Sequence, residues 1–185
     1  MRRPFLDRPV ALLGQHLPMA SLLLIVFAVI GSALLSLSTR LGVPSIGLAL
    51  LSPSLVVGGQ IWRLVTWAFF ELDGQNLVFG ALMLGFFGRD LAAVWGGARY
   101  LLVCVGVALV SGGLTTLLGF VWGDVFRAQY LSIWPLADAL TVAWSLLFPN
   151  RTILFMFVLP AAGRNLLYAT LGITGLFAAK GYNID

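Results

Sequence analysis

The sequence predicts an all-α membrane protein, a polytopic helix bundle with five transmembrane helices. Of its 185 residues, 60% are hydrophobic and only 10% are charged, and the mean hydropathy is +1.00. A water-soluble domain of this composition would expose large apolar patches, so lipid is the expected solvent for most of the surface. A membrane core takes roughly 20 apolar residues per helix. Five apolar blocks approach that length: 17–38, 76–95, 99–120, 132–148 and 164–180.

Residues 1–16 are predicted to form a basic leader at the membrane surface, and residues 17–185 a single transmembrane domain. The leader "MRRPFLDR" contains Pro4, which argues against a long helix. The first apolar block is long enough to span, and no small-residue cleavage pattern follows it, so we expect it to stay in the membrane rather than act as a cleaved signal peptide.

The distribution of basic residues predicts the topology. The net charge is +4, but the basic residues are scattered at block ends, which is typical of membrane anchoring, so we expect no nucleic-acid partner. If five spans alternate, the N-terminal side holds seven basic residues and the other side four. The excess of positive charge predicts a cytoplasmic N-terminus, and we expect the bacterial inner membrane. The seven are Arg2, Arg3, Arg8, Arg89, Arg99, Arg151 and Arg164, and the four are Arg40, Arg63, Arg127 and Lys180.

The long connection 40–75 is too apolar for a solvated loop. Pro44, Pro53 and the pair Gly58–Gly59 divide it into pieces too short to span, so it is predicted to lie in the membrane with its irregular backbone buried against the bundle. Its aromatic residues are expected at the level of the lipid headgroups; they are Trp62, Trp67, Phe69 and Phe70.

A second apolar segment, 149–160, is bracketed by Pro149 and Pro160 and is too short to cross. It is expected at the cytoplasmic face. Cys104, the only cysteine, lies in an apolar run and is expected to be a buried packing residue. Small residues in the blocks predict close helix packing, because helices in lipid associate through backbone approach; they are Gly80, Gly85, Gly88, Gly106, Ser111, Gly112, Gly113, Gly172 and Gly175.

Three segments together resemble the rhomboid intramembrane proteases and their derlin-like relatives. They are "GQIWRLVTWAFF" at 59–70, "LGFFGRDLAAVWGGARYLL" at 84–102 and "SLLFPNRTILFMFVLP" at 145–160. The resemblance implies a core of six helices with a short central fourth helix, the sixth being absent here. It also implies that the pair Trp62–Arg63 holds the long loop in the membrane.

The same resemblance locates the positions that would carry catalysis. The serine of the family falls on Trp134 and the following glycine on Pro135, while the two helpers of the oxyanion fall on Asn76 and Gly80. The histidine of the family's sixth helix has no counterpart. An indole has no nucleophilic oxygen, so Trp134 is expected to point into the bundle and plug a vanished active site.

No other residue is expected to restore the reaction. Ser132 and Ser145 remain near the fourth block, but no histidine or lysine within the membrane is available to activate them. The only histidine, His16, lies before the first span. The sequence therefore predicts a catalytically inactive chain.

Asp138 interrupts the fourth block, where a charged side chain at the bilayer centre costs roughly 2.5–3.5 kcal/mol. Trp134, Asp138 and Thr141 recur at helical spacing and are expected on one inward face. Two interpretations stay open for Asp138: a structural aspartate that is neutral or hydrogen-bonded internally, or a group that pairs with a basic or amide group of a partner or lines a wet cavity.

The leading functional prediction is a non-catalytic rhomboid-like protein that binds other membrane proteins, as a scaffold or accessory subunit, without a cofactor. One alternative is a rhomboid-type intramembrane serine hydrolase whose last helix is missing from this chain. Another is a small transporter or a pigment-binding accessory protein, in which His16 could ligate a haem or chlorophyll.

Overall fold

A computed structural model describes residues 4–12, 15–43, 46–155 and 159–180. The structure is mostly helical, as predicted, and two short β-hairpins are added to the helices. The predictions for Arg2, Arg3, Pro44 and the side chain of His16 concern parts of the chain outside this description. The chain forms two compact units, Met1–Ala137 and Asp138–Asp185, so the prediction of a single domain stays a prediction.

Three helices are long and apolar enough to cross a membrane: α1 (Met19–Arg40), α5 (Gly74–Trp95) and α6 (Gly97–Gly119). At 1.5 Å per residue, each is about 33 Å long and matches the hydrocarbon core of about 30 Å. They coincide with the first three predicted blocks to within two residues. Five spans are not confirmed, because within the described residues only these three meet both criteria.

The helices in the fourth and fifth predicted blocks explain that difference. Helix α8 (Trp134–Leu147) has 14 residues and is about 21 Å long, shorter than the hydrocarbon core. Helix α9 (Gly163–Lys180) has 18 residues, but it contains Arg164, Asn165 and Lys180, which lower its hydropathy.

The connection between α1 and α5 consists of three short helices joined by turns, as its prolines and glycines predict. These are α2 (Ile46–Ala49), α3 (Pro53–Val57) and α4 (Arg63–Thr66). Backbone hydrogen bonds of 2.9 Å in both directions join Leu51 to Tyr130, in the segment before α8. The irregular backbone of this loop is therefore hydrogen-bonded to the segment before α8.

The leader is not wholly irregular. A short 3-10 helix, Phe5–Asp7, is followed by an antiparallel hairpin of β1 (Pro9–Leu12) and β2 (Gln15–Pro18), and α1 begins directly after Pro18. Asp7 Oδ1 accepts the backbone N–H of Gly97 at 2.5 Å, which satisfies a donor at the first turn of α6.

Small residues bring the spans together at some of the predicted positions. A Cβ added at Gly88 on α5 would lie 2.5 Å from the hydroxyl oxygen of Tyr100 on α6, and one added at Gly112 would lie 2.9 Å from the backbone oxygen of Leu64. Gly80 is equally tight, as described below. The prediction is wrong for Gly106 and Gly113 on α6, because nothing lies within 4 Å of a Cβ there. For Gly172 and Gly175, in the second unit, it stays a prediction.

The second unit contains the greater part of α8, the hairpin of β3 (Thr152–Phe155) and β4 (Leu159–Ala162), and α9. The short apolar segment predicted at 149–160 therefore includes strand β3 and the start of strand β4. The rings of Trp144 and Phe148 pack 5.5 Å apart, and Gly163 at the start of α9 lies against the backbone oxygen of Phe148. Helix α7 (Gly123–Arg127) belongs to the first unit, between α6 and α8.

Candidate functional site

The positions that would carry catalysis lie where α5 approaches the segment before α8. Gly80 is buried on α5, and a Cβ there would collide with Cγ2 of Ile133. Ile133 itself is 0% exposed. Asn76 lies one turn earlier, half-buried, and its backbone N–H donates to the capping carboxylate of Asp73 at 2.8 Å. The side chain of Ile133 thus occupies the space beside Gly80.

The predicted inward orientation of Trp134 is wrong. Its side chain is 38% exposed, whereas Ile133 and Leu136 on either side of Trp134–Pro135 are each 0% exposed. Successive residues of a helix turn by about 100°, so burial of the Ile133 and Leu136 face turns Trp134 away. Ile133, rather than Trp134, fills the space beside α5 in which a plugging side chain was predicted.

A cluster that sequence reasoning missed surrounds Glu71, the only glutamate of the chain. Glu71 is 7% exposed, and its backbone N–H donates to Oγ of Ser32 on α1 at 3.0 Å. The hydroxyl of Ser132 donates to its Oε2 at 3.3 Å. Its Oε1 accepts the backbone N–H groups of Leu72 at 3.1 Å and Asp73 at 3.4 Å. We call Glu71, Ser32 and Ser132 the Glu71 cluster.

The Glu71 cluster ties three parts of the first unit together: α1, the end of the long loop and the segment before α8. A buried carboxylate without hydrogen bonds is costly, and the donors around Glu71 offset that cost. The sequence carried one signal, a lone glutamate directly after the apolar run "WAFF". The bonds themselves depend on contacts distant in sequence.

The pair Ser132–Glu71 resembles a nucleophile and a base only in part. Oγ of Ser132 also accepts the backbone N–H of Trp134 at 3.3 Å, which draws electron density from the oxygen. The geometry therefore fits a structural role for the Glu71 cluster better than an activated serine.

The loop motif is anchored by Arg63, which is 4% exposed. Its Nε donates to Oε1 of Gln60 at 2.7 Å, and its guanidinium donates to the backbone oxygen of Leu50 at 2.6 Å. Burial lowers the pKa of the Arg63 guanidinium, which nevertheless stays charged as arginine does in proteins. Trp62 beside it is 48% exposed. These bonds support the structural role predicted for this pair, which stays a prediction.

Two aromatic residues expected at headgroup level are buried within the first unit. Trp67 is 6% exposed and Phe69 is 4% exposed. The indole N–H of Trp67 donates to the backbone oxygen of Leu64 at 3.1 Å and approaches that of Ala108 on α6 at 3.4 Å. The glycine at position 112 leaves room for this ring, so the ring packs the loop against α6. The depth of these residues in the membrane stays a prediction.

Asp138 has a partner within the second unit. The hydroxyl of Thr174 on α9 donates to its Oδ2 at 3.2 Å, and the carboxylate is half-buried. This bond favours the interpretation of Asp138 as an internally bonded aspartate. Pairing with a partner protein stays a prediction.

In the described part of the chain, no three His, Cys, Asp or Glu side chains come close enough together to hold a metal ion. Cys104 is buried, as predicted. The side chain of His16, the candidate ligand for a haem or chlorophyll, lies outside the described residues.

Three apolar helices of spanning length, packed through glycine contacts, define a helical integral membrane protein. The chain belongs to the family described as "Eukaryotic integral membrane protein (DUF1751)", whose pattern matches residues 20–182. No curated protein matches the chain. The family description is eukaryotic, so the prediction of a bacterial inner membrane is wrong; the integral membrane placement stands. Lys and Arg counts report orientation but do not distinguish a bacterial from a eukaryotic membrane.

Proposed function

We propose that this protein is a non-catalytic, rhomboid-like integral membrane protein that binds other membrane proteins, as a scaffold or as an accessory subunit of a larger complex. The contact between Gly80 and Ile133 carries this proposal. An intramembrane serine protease must admit a peptide bond between its oxyanion donors and its nucleophile. Here a fully buried isoleucine lies between the corresponding elements.

The chemistry at the neighbouring positions supports the same proposal. The residue that the resemblance aligns with the nucleophile is Trp134, whose indole has no oxygen to attack a carbonyl carbon. Loss of one oxyanion donor alone costs about 10²–10³ in rate, and Gly80 has no side chain to serve as one. A frame without these groups retains only its surfaces as a means of acting on other membrane proteins.

Two exposed tryptophans support binding as the retained activity. Trp62 is 48% exposed and Trp134 is 38% exposed, and tryptophan is enriched among the residues that dominate protein interfaces. Helices in lipid gain little from hydrophobic burial against one another, so association depends on shaped surfaces and polar contacts. The loop that carries Trp62 is fixed by the buried Arg63 and therefore presents a preformed surface.

Site-specific photocrosslinking tests the proposal. A photoreactive phenylalanine analogue placed at Trp62 or at Trp134 in native membranes should crosslink to a defined protein. The same analogue at Trp144, which is 0% exposed, is the matched control and should crosslink only within the chain. Crosslinks to lipid alone at both exposed positions, together with a monomer in lipid nanodiscs, would overturn the proposal.

The bond between Ser132 and Glu71 favours a second candidate, a serine hydrolase with a carboxylate base. A fluorophosphonate probe separates the two functions. We expect no labelling of the wild-type chain, because the Glu71 carboxylate already accepts two backbone N–H groups and Oγ of Ser132 accepts a third. Labelling that disappears in Ser132→Ala and in Glu71→Gln would establish the hydrolase instead.

A further inference from the structure

A half-open cavity of about 570 Å³ lies at the end of the first unit where α1 begins, α5 ends and α6 begins. Its wall includes Pro18 directly before α1, Ala93 in the last turn of α5 and Gly96 between α5 and α6. Because these three helices have the length of membrane spans, this end of the unit lies at the membrane surface. The cavity therefore opens where lipid headgroups are concentrated.

The wall of the cavity carries charges of both signs. Arg89 and Asp90 are neighbours on α5, with Nε and Oδ1 3.4 Å apart, and their side chains are 37% and 16% exposed. Asp7 of the leader also lines the cavity and is fixed by its bond to the N–H of Gly97. Among the described residues of the wall, one cation and two carboxylates suit a ligand that carries a phosphate and an ammonium group close together.

We propose that this cavity binds the headgroup of an aminophospholipid, with the phosphate on Arg89 and the primary ammonium on the carboxylates of Asp90 and Asp7. A guanidinium binds phosphate through paired hydrogen bonds, and a primary ammonium donates three hydrogen bonds, which two carboxylates accept. The cavity volume lies within the range of small-molecule sites, about 300–1,000 Å³.

The same wall discriminates against the other common headgroups. The charged side chains among its described residues are one arginine and two aspartates, which together repel a purely anionic headgroup. A quaternary ammonium such as choline has no N–H to donate and is usually held by aromatic rings. None of the described residues that line the cavity is aromatic. The site thus favours ethanolamine over choline and over glycerol headgroups.

Competition among three lipids tests this inference. The full chain is placed in nanodiscs with equal amounts of phosphatidylethanolamine, phosphatidylcholine and phosphatidylglycerol of the same acyl chains, then extracted gently and weighed by native mass spectrometry. Phosphatidylethanolamine should remain bound about tenfold more often than either competitor, the ratio for one charge-assisted contact. Equal retention of the three lipids by the wild-type protein, or preference for phosphatidylglycerol, would overturn the inference.

Two variants locate the site. Arg89→Gln and Asp90→Asn should each lower the retention of phosphatidylethanolamine about tenfold. Arg127→Gln and Asp124→Asn make the same chemical changes at exposed positions on α7, outside the cavity, and should leave retention unchanged. If all four variants behave alike, the cavity is not the site. A final arm adds free phosphoethanolamine to lipid-depleted protein. Thermal stabilisation equal to that given by the lipid would refute a membrane source for the ligand.

Discussion

Replacing Gly80 with alanine tests whether Ile133 fills the space beside α5. Alanine is favoured over glycine inside a helix by about 1 kcal/mol, so at an open site the change stabilises. At position 80 the new Cβ would collide with Cγ2 of Ile133, and two further atoms of that side chain lie at 3.1 and 3.3 Å. Overpacking of this kind costs about 1–3 kcal/mol. The net expectation is a destabilisation of up to about 2 kcal/mol.

The same substitution in the Ile133→Ala background makes the prediction more specific. Ile133→Ala alone creates a cavity and costs about 2–5 kcal/mol. It also removes the atoms that collide, so adding Gly80→Ala in that background should stabilise the protein by about 1 kcal/mol. The effect of one substitution therefore changes sign, and the coupling between the two sites should reach about 1–3 kcal/mol.

The free energy of unfolding in bicelles, followed by titration with sodium dodecyl sulfate, measures all four members of the cycle. Gly106→Ala on α6 is the matched control, because nothing lies within 4 Å of a Cβ there; it should be neutral or mildly stabilising. If Gly80→Ala is as benign as Gly106→Ala in the wild-type background, the contact between Gly80 and Ile133 is absent and the reasoning fails.

Three further predictions concern the polar contacts of the first unit. Glu71→Ala should cost about 1–3 kcal/mol of unfolding free energy, because the backbone donors that now reach the carboxylate lose their acceptor. Glu71→Gln keeps an acceptor and should cost less in the same titration. Equal costs would contradict a structural role for these hydrogen bonds. Arg63→Met should expose the loop to limited proteolysis, because the backbone oxygen of Leu50 loses its donor; Arg127→Met, an exposed counterpart, should not, and equal cleavage of both would argue against the anchor. Asp7→Ala should cost about 1 kcal/mol, the usual value of a helix cap, and speed amide exchange at Gly97; unchanged exchange would show that the cap does not form.

The spans could be predicted because hydropathy reports the solvent of a segment directly. Blocks 17–38, 76–95 and 99–120 match α1, α5 and α6 to within two residues at each end. The broken course of the 40–75 loop was also predictable, because proline and glycine forbid a long helix whatever surrounds them. Both features depend on the local sequence alone.

The orientation of side chains could not be predicted in the same way. In a segment as apolar as α8, most faces look suitable for burial, and the position of Ile133 against Gly80 decides which one is buried. Trp67 likewise looks like an interfacial residue until Gly112 provides room for it on α6. Glu71 was missed because its partners, Ser32 and Ser132, lie 39 and 61 residues away in the chain.

The length of a crosslinked partner tests the proposed function most directly. Membranes that carry the photoreactive analogue at Trp134 are irradiated, and the captured protein is sized in the wild-type background and in Ser132→Ala. We predict one protein of full length in both backgrounds, held by the chain and uncut. Shortened fragments that appear with the wild-type serine and vanish in Ser132→Ala would contradict the account.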